Sequence, residues 1–328
     1  MTKHSRLWLY IPWGVAIVLA AVWLVYWNVA ANTARGRVAE WVSAQNAAGG
    51  QARIGAIKTH GFPVFLWLEL DDIHYAPARR NWSAATSALN LNINLTNPQH
   101  VIFEQKAPID IRHADGGHTT LTSRKLLASV RMSGNALAEA GIETNAPAYG
   151  DLHADRLLIV LRPDPQTPAN TQAVLEADAL HLAKPVTGFE PFGQDIAAVH
   201  AAMVLGQAGA LLETSTPIEA WRAHGGRARI VSAEVNGWGG LDAQARGDVG
   251  LDAQHRIDGA LEVRLPHPAR AFNAMAHSET LSHDAKEALR AMALGFRLAG
   301  GRITVHLQAH DGVLSLEGAP VRTLAPTY

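Results

Sequence analysis

Apolar residues follow two periods along this chain. The run that starts at Leu7 and finishes at Val29 (residues 7–29) carries no charged side chain. From Asn32 to Ala48 the period becomes helical, with Val38, Trp41 and Val42 on one face and Thr33 as a cap, until Gly49-Gly50 stops it. Beyond that point apolar and polar residues alternate. The clearest case is Leu89-Asn90-Leu91-Asn92-Ile93-Asn94-Leu95, which on a strand places Leu89, Leu91, Ile93 and Leu95 on one face and three asparagines on the other. Val64, Leu66, Leu68 and Leu70 alternate likewise, although Phe65 and Trp67 make the opposite face apolar too. Gly61-Phe62-Pro63 separates this strand from the one before, and Pro77 ends it.

The same pattern predicts strands over 51–60, 101–105, 109–113, 119–132, 152–162, 174–182 and 195–205. It predicts further strands over 227–235, 241–251, 256–265, 302–309 and 313–316. Segments 133–150 and 163–170, rich in Ala, Gly, Asn and Pro, read as loops. Thr216-Pro217 opens a short helix that Gly225-Gly226 closes, and two more helices are expected near 268–276 and 282–296. Long alternating strands with few helices make the chain mainly β with a few helices (α+β), built on curved antiparallel sheet. An echo supports two related halves. Gly49-Gly50-Gln51-Ala52-Arg53-Ile54 matches Gly225-Gly226-Arg227-Ala228-Arg229-Ile230, each behind a helix with a tryptophan, Trp41 or Trp221. The expected division is a tail and spanning helix over 1–31, a first β-rich half over 32–210, and a second with helices over 211–328.

At about 1.5 Å of rise per residue, the run 7–29 crosses a hydrocarbon core of about 30 Å. Trp8, Tyr10 and Trp13 near its start, and Trp23, Tyr26 and Trp27 near its end, suit the two interfaces. The competing reading is a cleaved secretory leader, with Lys3 and Arg6 as its basic region and Val29-Ala30-Ala31 as its cleavage site. The run exceeds the usual length of such a leader and is studded with tryptophan, so a retained anchor is expected. Lys3 and Arg6 are balanced by Arg35 and Arg37, so charge leaves orientation nearly tied. A short cytoplasmic tail with the bulk translocated is the simpler topology.

Composition removes several functions. The net charge is −1 and charged residues make up 17%, so no basic field attracts nucleic acid. With no cysteine there are no disulfides, thiolate metal sites or cysteine nucleophiles. The 16 histidines show no HExxH or HxH spacing; His113 and His118 flank a turn, His277 and His283 bracket a helix start, and His306 and His310 could share a strand face. Asp71-Asp72-Ile73-His74 would let Asp72 and His74 act as metal ligands or as base and orienter, but it supplies too few ligands and reads as a surface strand end. No GxSxG, SxxK or P-loop occurs. Trp238, within Gly237-Trp238-Gly239-Gly240, reads as a packed aromatic at a bulge, and Arg79-Arg80 as a hairpin turn. No catalytic residue, cofactor site or metal site is assigned.

The tryptophan helix ending in Gly-Gly, the Gly61-Phe62-Pro63 motif with its apolar strand, Trp82 opening the next strand, and the segment 298–316 followed by Ala319-Pro320-Val321 resemble a bacterial family catalogued as domain of unknown function 2125. That resemblance implies a Gram-negative inner-membrane protein with a periplasmic β-rich body and carries no activity. At the level of fold the chain is also similar to AsmA-like envelope proteins, whose curved sheets offer grooves to lipid. The expected function is non-enzymatic: an anchored envelope protein that binds or passes an apolar ligand such as lipid. Val64, Leu66, Leu68, Leu70, Leu89, Leu91, Ile93 and Leu95 form its candidate groove or core. The alternative is an assembly factor that docks a partner protein; an envelope hydrolase ranks last.

Overall fold

The computed structural model describes residues 7–78, 82–113, 115–134, 136–186, 189–213, 216–278 and 283–328; the Arg79-Arg80 pair lies outside them. The chain is mainly β, with antiparallel strands and few helices, and it divides into two compact units, Met1–His118 and Thr119–Tyr328.

The first unit begins with α1 (Leu7–Ala47), a single helix of 41 residues. The separate short helix expected from residue 32 is therefore the continuation of the apolar one. Thr33 does not act as a cap, because a cap needs the residue before it to leave the helix, and the chain here stays helical through it. Its inner face carries Trp27, Ala30, Ala31, Ala34 and Val38, spaced by three and four residues. The alanines let the sheet approach closely, and Ala31 is buried. Asn46 clips the helix end to the first strand, with Nδ2 donating to the Ala52 carbonyl and the Ala52 N–H donating back to Oδ1.

The strands of this unit are β1 (Gln51–Arg53), β2 (Ala56–His60), β3 (Leu66–Ala76), β4 (Trp82–Asn94), β5 (Asn97–Gln105) and β6 (Ile109–His113). Both β1 and β2 pair with β3, β3 pairs with β4, and β4 pairs with β5 and β6, all antiparallel. The outer face of β2 and β3 carries Lys58, Glu69 and Asp71 beside Trp67, on which His60 stacks. Lys58 Nζ lies 2.7 Å from Asp71 and 3.0 Å from Glu69, and these two carboxylates, Asp71 foremost, raise the pKa of the Lys58 ammonium.

The second unit is a long antiparallel meander. It contains β7 (His118–Thr122), β8 (Lys125–Ser133), β9 (Ala136–Asn145), β10 (Ala148–Tyr149), β11 (Leu152–His153), β12 (Arg156–Pro163), β13 (Thr171–His181) and β14 (Asp195–Leu205). After α2 (Ala210–Glu213) and α3 (Pro217–Ala223) come β15 (Arg227–Trp238), β16 (Leu241–Leu251) and β17 (Ile257–Leu265). Then α4 (Pro268–Met275) and α5 (His283–Ala299) precede β18 (Ile303–His310), β19 (Val313–Leu316) and β20 (Ala319–Thr323). Residue 210 falls inside this unit, between β14 and β15, which pair with each other from Ala198↔Asn236 to Leu205↔Ala228.

Segment 133–150, expected to be loop, holds β9 between β8 and β12. Thr144 on β9 is 2% exposed, and its hydroxyl has no hydrogen-bond partner among the described residues. A buried hydroxyl without a partner costs roughly 1–3 kcal/mol. Thr144→Val keeps the shape and removes the stranded group, so it is expected to raise the melting temperature by a few degrees in a thermal scan. A lowered melting temperature would show that the hydroxyl has a partner after all.

The sequence echo has a structural counterpart. In the first unit a helix ends at Gly49 (φ 88°) and leads into β1 and β2, then β3 and β4. In the second, α3 ends at Gly225 (φ 71°) and leads into β15, β16 and β17. The gap between β1 and β2 falls in step with a register irregularity of β15 between Ile230 and Ala233. Both units thus use a helix, two glycines and three antiparallel strand positions in the same order, with β1 and β2 together in the place of β15.

Candidate functional site

The pairing of β3 with β4 brings the two apolar sets together. Leu66 lies opposite Ile93, Leu68 opposite Leu91, and Leu70 opposite Leu89. Across β4, Leu91 meets Phe103 and Ile93 meets Val101 of β5. Directly opposed side chains in an antiparallel pair share a face, so these residues form one apolar surface beneath α1. The asparagines Asn90 and Asn92 alternate to the other side.

This surface is partly core and partly groove. Leu68 is 0% exposed and Leu66 2%, and Ala31, Leu70, Leu91 and Leu95 join them in one buried cluster, in which Leu68 and Ala31 stay off the groove and the other four also line it. Beside that cluster α1 and the sheet part to leave a cavity of about 770 Å³. Leu70, Leu89, Ile93, Val101 and Phe103 form its floor, and Val38 is among the α1 residues that wall it. Val64, the remaining residue of the candidate set, sits in the loop between β2 and β3 and is 62% exposed. Sequence reasoning missed the helix side of the groove. The spacing of Ala30, Ala34, Val38 and Trp41 carries that signal, but only Val38, Trp41 and Val42 read as one face, on a helix separate from the apolar run.

The groove is fastened at both ends. At the apolar end of α1, Tyr26 Oη donates to the Leu95 carbonyl at 2.8 Å and Trp27 Nε1 to the Phe65 carbonyl at 2.9 Å. Toward the other end the Trp41 ring lies 5.4 Å from that of Tyr75, whose hydroxyl donates to Gln45 Oε1 at 3.2 Å. The polar side chains on the lining are few: Arg37, Thr33, Thr86 and the Tyr26 hydroxyl. Arg37 is itself paired with Glu40 at 3.3 Å.

A cavity of about 700 Å³ lies in the second unit against α4 and α5. His267, Arg270, His277 and Arg297 line it, without a carboxylate among the described lining residues. His267 Nδ1 is 3.0 Å from Asp242 Oδ2, and His277 Nδ1 is 2.7 Å from the Asn273 carbonyl. Both imidazoles are thus held by their own neighbourhoods.

Elsewhere several titratable groups form ion pairs between neighbouring strands. His306 and His310 each face a separate carboxylate, Glu317 at 3.2 Å and Asp258 at 3.0 Å. Asp258 also meets Arg227, which in turn contacts Asp248. His310 foremost, with Arg227, holds the Asp258 carboxyl below its usual range, and Asp258 raises the His310 imidazole. Such exposed pairs contribute little to stability. Asp72 adopts a φ of 51° at the irregularity opposite Gly55. No group of three potential metal ligands occurs among the described residues. Trp238, expected as a packed aromatic, is 8% exposed, stacks on Phe189 at 5.5 Å, and donates Nε1 to the Gly193 carbonyl at 3.0 Å.

A family model described as "Uncharacterized protein conserved in bacteria (DUF2125)" matches residues 27–325. No curated protein and no solved structure matches the chain.

Proposed function

We propose that this chain, which belongs to the DUF2125 family, is a non-enzymatic inner-membrane protein that holds a membrane lipid in the groove of its first unit, with its body on the periplasmic side. The observation that carries this reading is the groove itself: about 770 Å³, walled by aliphatic and aromatic side chains, and flanked by a helix that is continuous with the apolar segment. That volume suits a ligand of ordinary size. Few polar groups reach it, so recognition rests on burial of apolar surface, at roughly 25 cal/mol per Å². Only α1 is long and apolar enough to cross a membrane among the described residues.

The same geometry supports retention of the anchor. Val29-Ala30-Ala31, the would-be cleavage site, lies within α1, and Ala31 is buried against the sheet. Cleavage there would remove Trp23, Tyr26 and Trp27, whose side chains hold the backbone at Pro63, Leu95 and Phe65.

Native mass spectrometry of the detergent-solubilised full chain is expected to show one lipid per chain that survives gentle activation. A folded chain with no adduct would exclude the lipid reading. A photocrosslinker at Leu89 that captured a protein in membranes would favour partner docking instead.

A further inference from the structure

The turn between β2 and β3 exposes three large apolar side chains in a row of four residues: Phe62 at 53%, Val64 at 62% and Phe65 at 66%. The turn is well ordered by its own bonds. The Gly61 carbonyl accepts the N–H groups of Val64 and Phe65 at 3.1 and 2.8 Å. Gly61 has a φ of 99°, and a Cβ there would stand 2.7 Å from the Phe65 carbonyl oxygen, so only glycine fits. This shape holds the three side chains outward, away from the core.

Its position along α1 is fixed as well. Trp23 Nε1 donates to the Pro63 carbonyl at 2.6 Å, and Trp27 Nε1 donates to the Phe65 carbonyl at 2.9 Å. The Phe62 ring meets the Trp27 ring edge-on at 5.4 Å. Trp23 and Trp27 lie about 24 and 30 Å along the helix from Leu7, at about 1.5 Å per residue. A hydrocarbon core of about 30 Å that begins near Leu7 therefore ends at this level. Interfacial tryptophans usually turn their N–H groups toward lipid headgroups. Here both donate to the backbone of one turn, which must then share their depth.

We infer that the turn of residues 61–65 is a second membrane contact, with Phe62, Val64 and Phe65 seated in the interface of the leaflet where α1 emerges. The occupant of this apolar patch is the bilayer surface, because the same turn is bonded to the helix at the depth where the bilayer surface lies. The groove begins at that level too, since Tyr26 and Leu95 both line it and bond to each other. This inference rests on α1 crossing a membrane, the premise of the proposed function, but not on lipid occupying the groove.

The chain has no cysteine, so single labels can be placed without removing any. Nitroxides at Val64→Cys and Phe65→Cys are compared in phosphatidylcholine–phosphatidylglycerol nanodiscs by power saturation with oxygen and with a nickel chelate. Val22→Cys serves as the immersed reference and Glu40→Cys, on the exposed continuation of the helix, as the aqueous one. The expected result is that labels at 64 and 65 favour oxygen over nickel, as at 22 and opposite to 40. Labels at 64 and 65 that match Glu40 overturn the inference while an immersed Val22 keeps the spanning helix. Labels shielded from both reagents mean that protein covers the turn, which also overturns it. An aqueous Val22 removes the spanning helix and this inference together.

Discussion

Leu68→Ala is expected to lower the unfolding free energy of the first unit by about 3 kcal/mol, within the usual 2–5 kcal/mol for a buried leucine. Leu68 is 0% exposed and is held between Leu91 across the β3–β4 pair and Thr59 across the β2–β3 pair. Extended strands on both sides leave little room to collapse into the space, so most of the cavity cost is retained. Denaturant unfolding followed by tryptophan fluorescence, to which Trp27 and Trp67 of this unit contribute, reads the change. A loss below about 1 kcal/mol would mean that the position is not part of a closed, well-packed core.

Leu89→Trp combined with Ile93→Trp is expected to do the opposite: leave stability close to that of the parent and abolish lipid retention. Both residues are only partly buried and face the cavity between α1 and the sheet. Added indole volume therefore enters open space rather than a packed interior, where overpacking would cost about 1–3 kcal/mol. Native mass spectrometry should show the lipid adduct lost, while far-ultraviolet circular dichroism stays the same. An adduct that persists in the folded double variant would place the ligand elsewhere. The contrast with Leu68 separates the closed part of the apolar face from its open part.

Strands with strict alternation or clear punctuation were legible from sequence. The segments 109–113, 195–205, 241–251 and 313–316 fall on β6, β14, β16 and β19 with their expected ends. β9 was not legible, because Ala136, Ala138, Ala140 and Gly141 offer almost no contrast between its two faces; its neighbours β8 and β12 impose the extended backbone. β20 contains Pro320, which removes a ladder donor and argues against strand in isolation. The Ser123-Arg124 break between β7 and β8 splits what reads as one strand over 119–132.

For the site, six of the eight alternating residues fall on β3 and β4, Val64 and Leu95 lying just outside them, but alternation could not say which were sealed. Leu68 and Leu89 have the same pattern in sequence. Their difference arises from where α1 touches the sheet and where it stands away, which depends on the small side chains Ala30, Ala31 and Ala34 and on the rings of Tyr26 and Trp41. Val64 shows the converse. It belongs to the alternating series, yet Gly61 and Pro63 hold it in a turn before the strand begins.

The unbroken course of α1 makes it a mast rather than a tether. From Trp23 to Ala47 it rises a further ~36 Å along its own axis, at about 1.5 Å per residue, without a hinge. A flexible linker would let the first unit sample many heights and tilts. With α1 set in a bilayer, such a rigid shaft would permit lateral drift and rotation about its own axis but hold the groove of the first unit at one altitude.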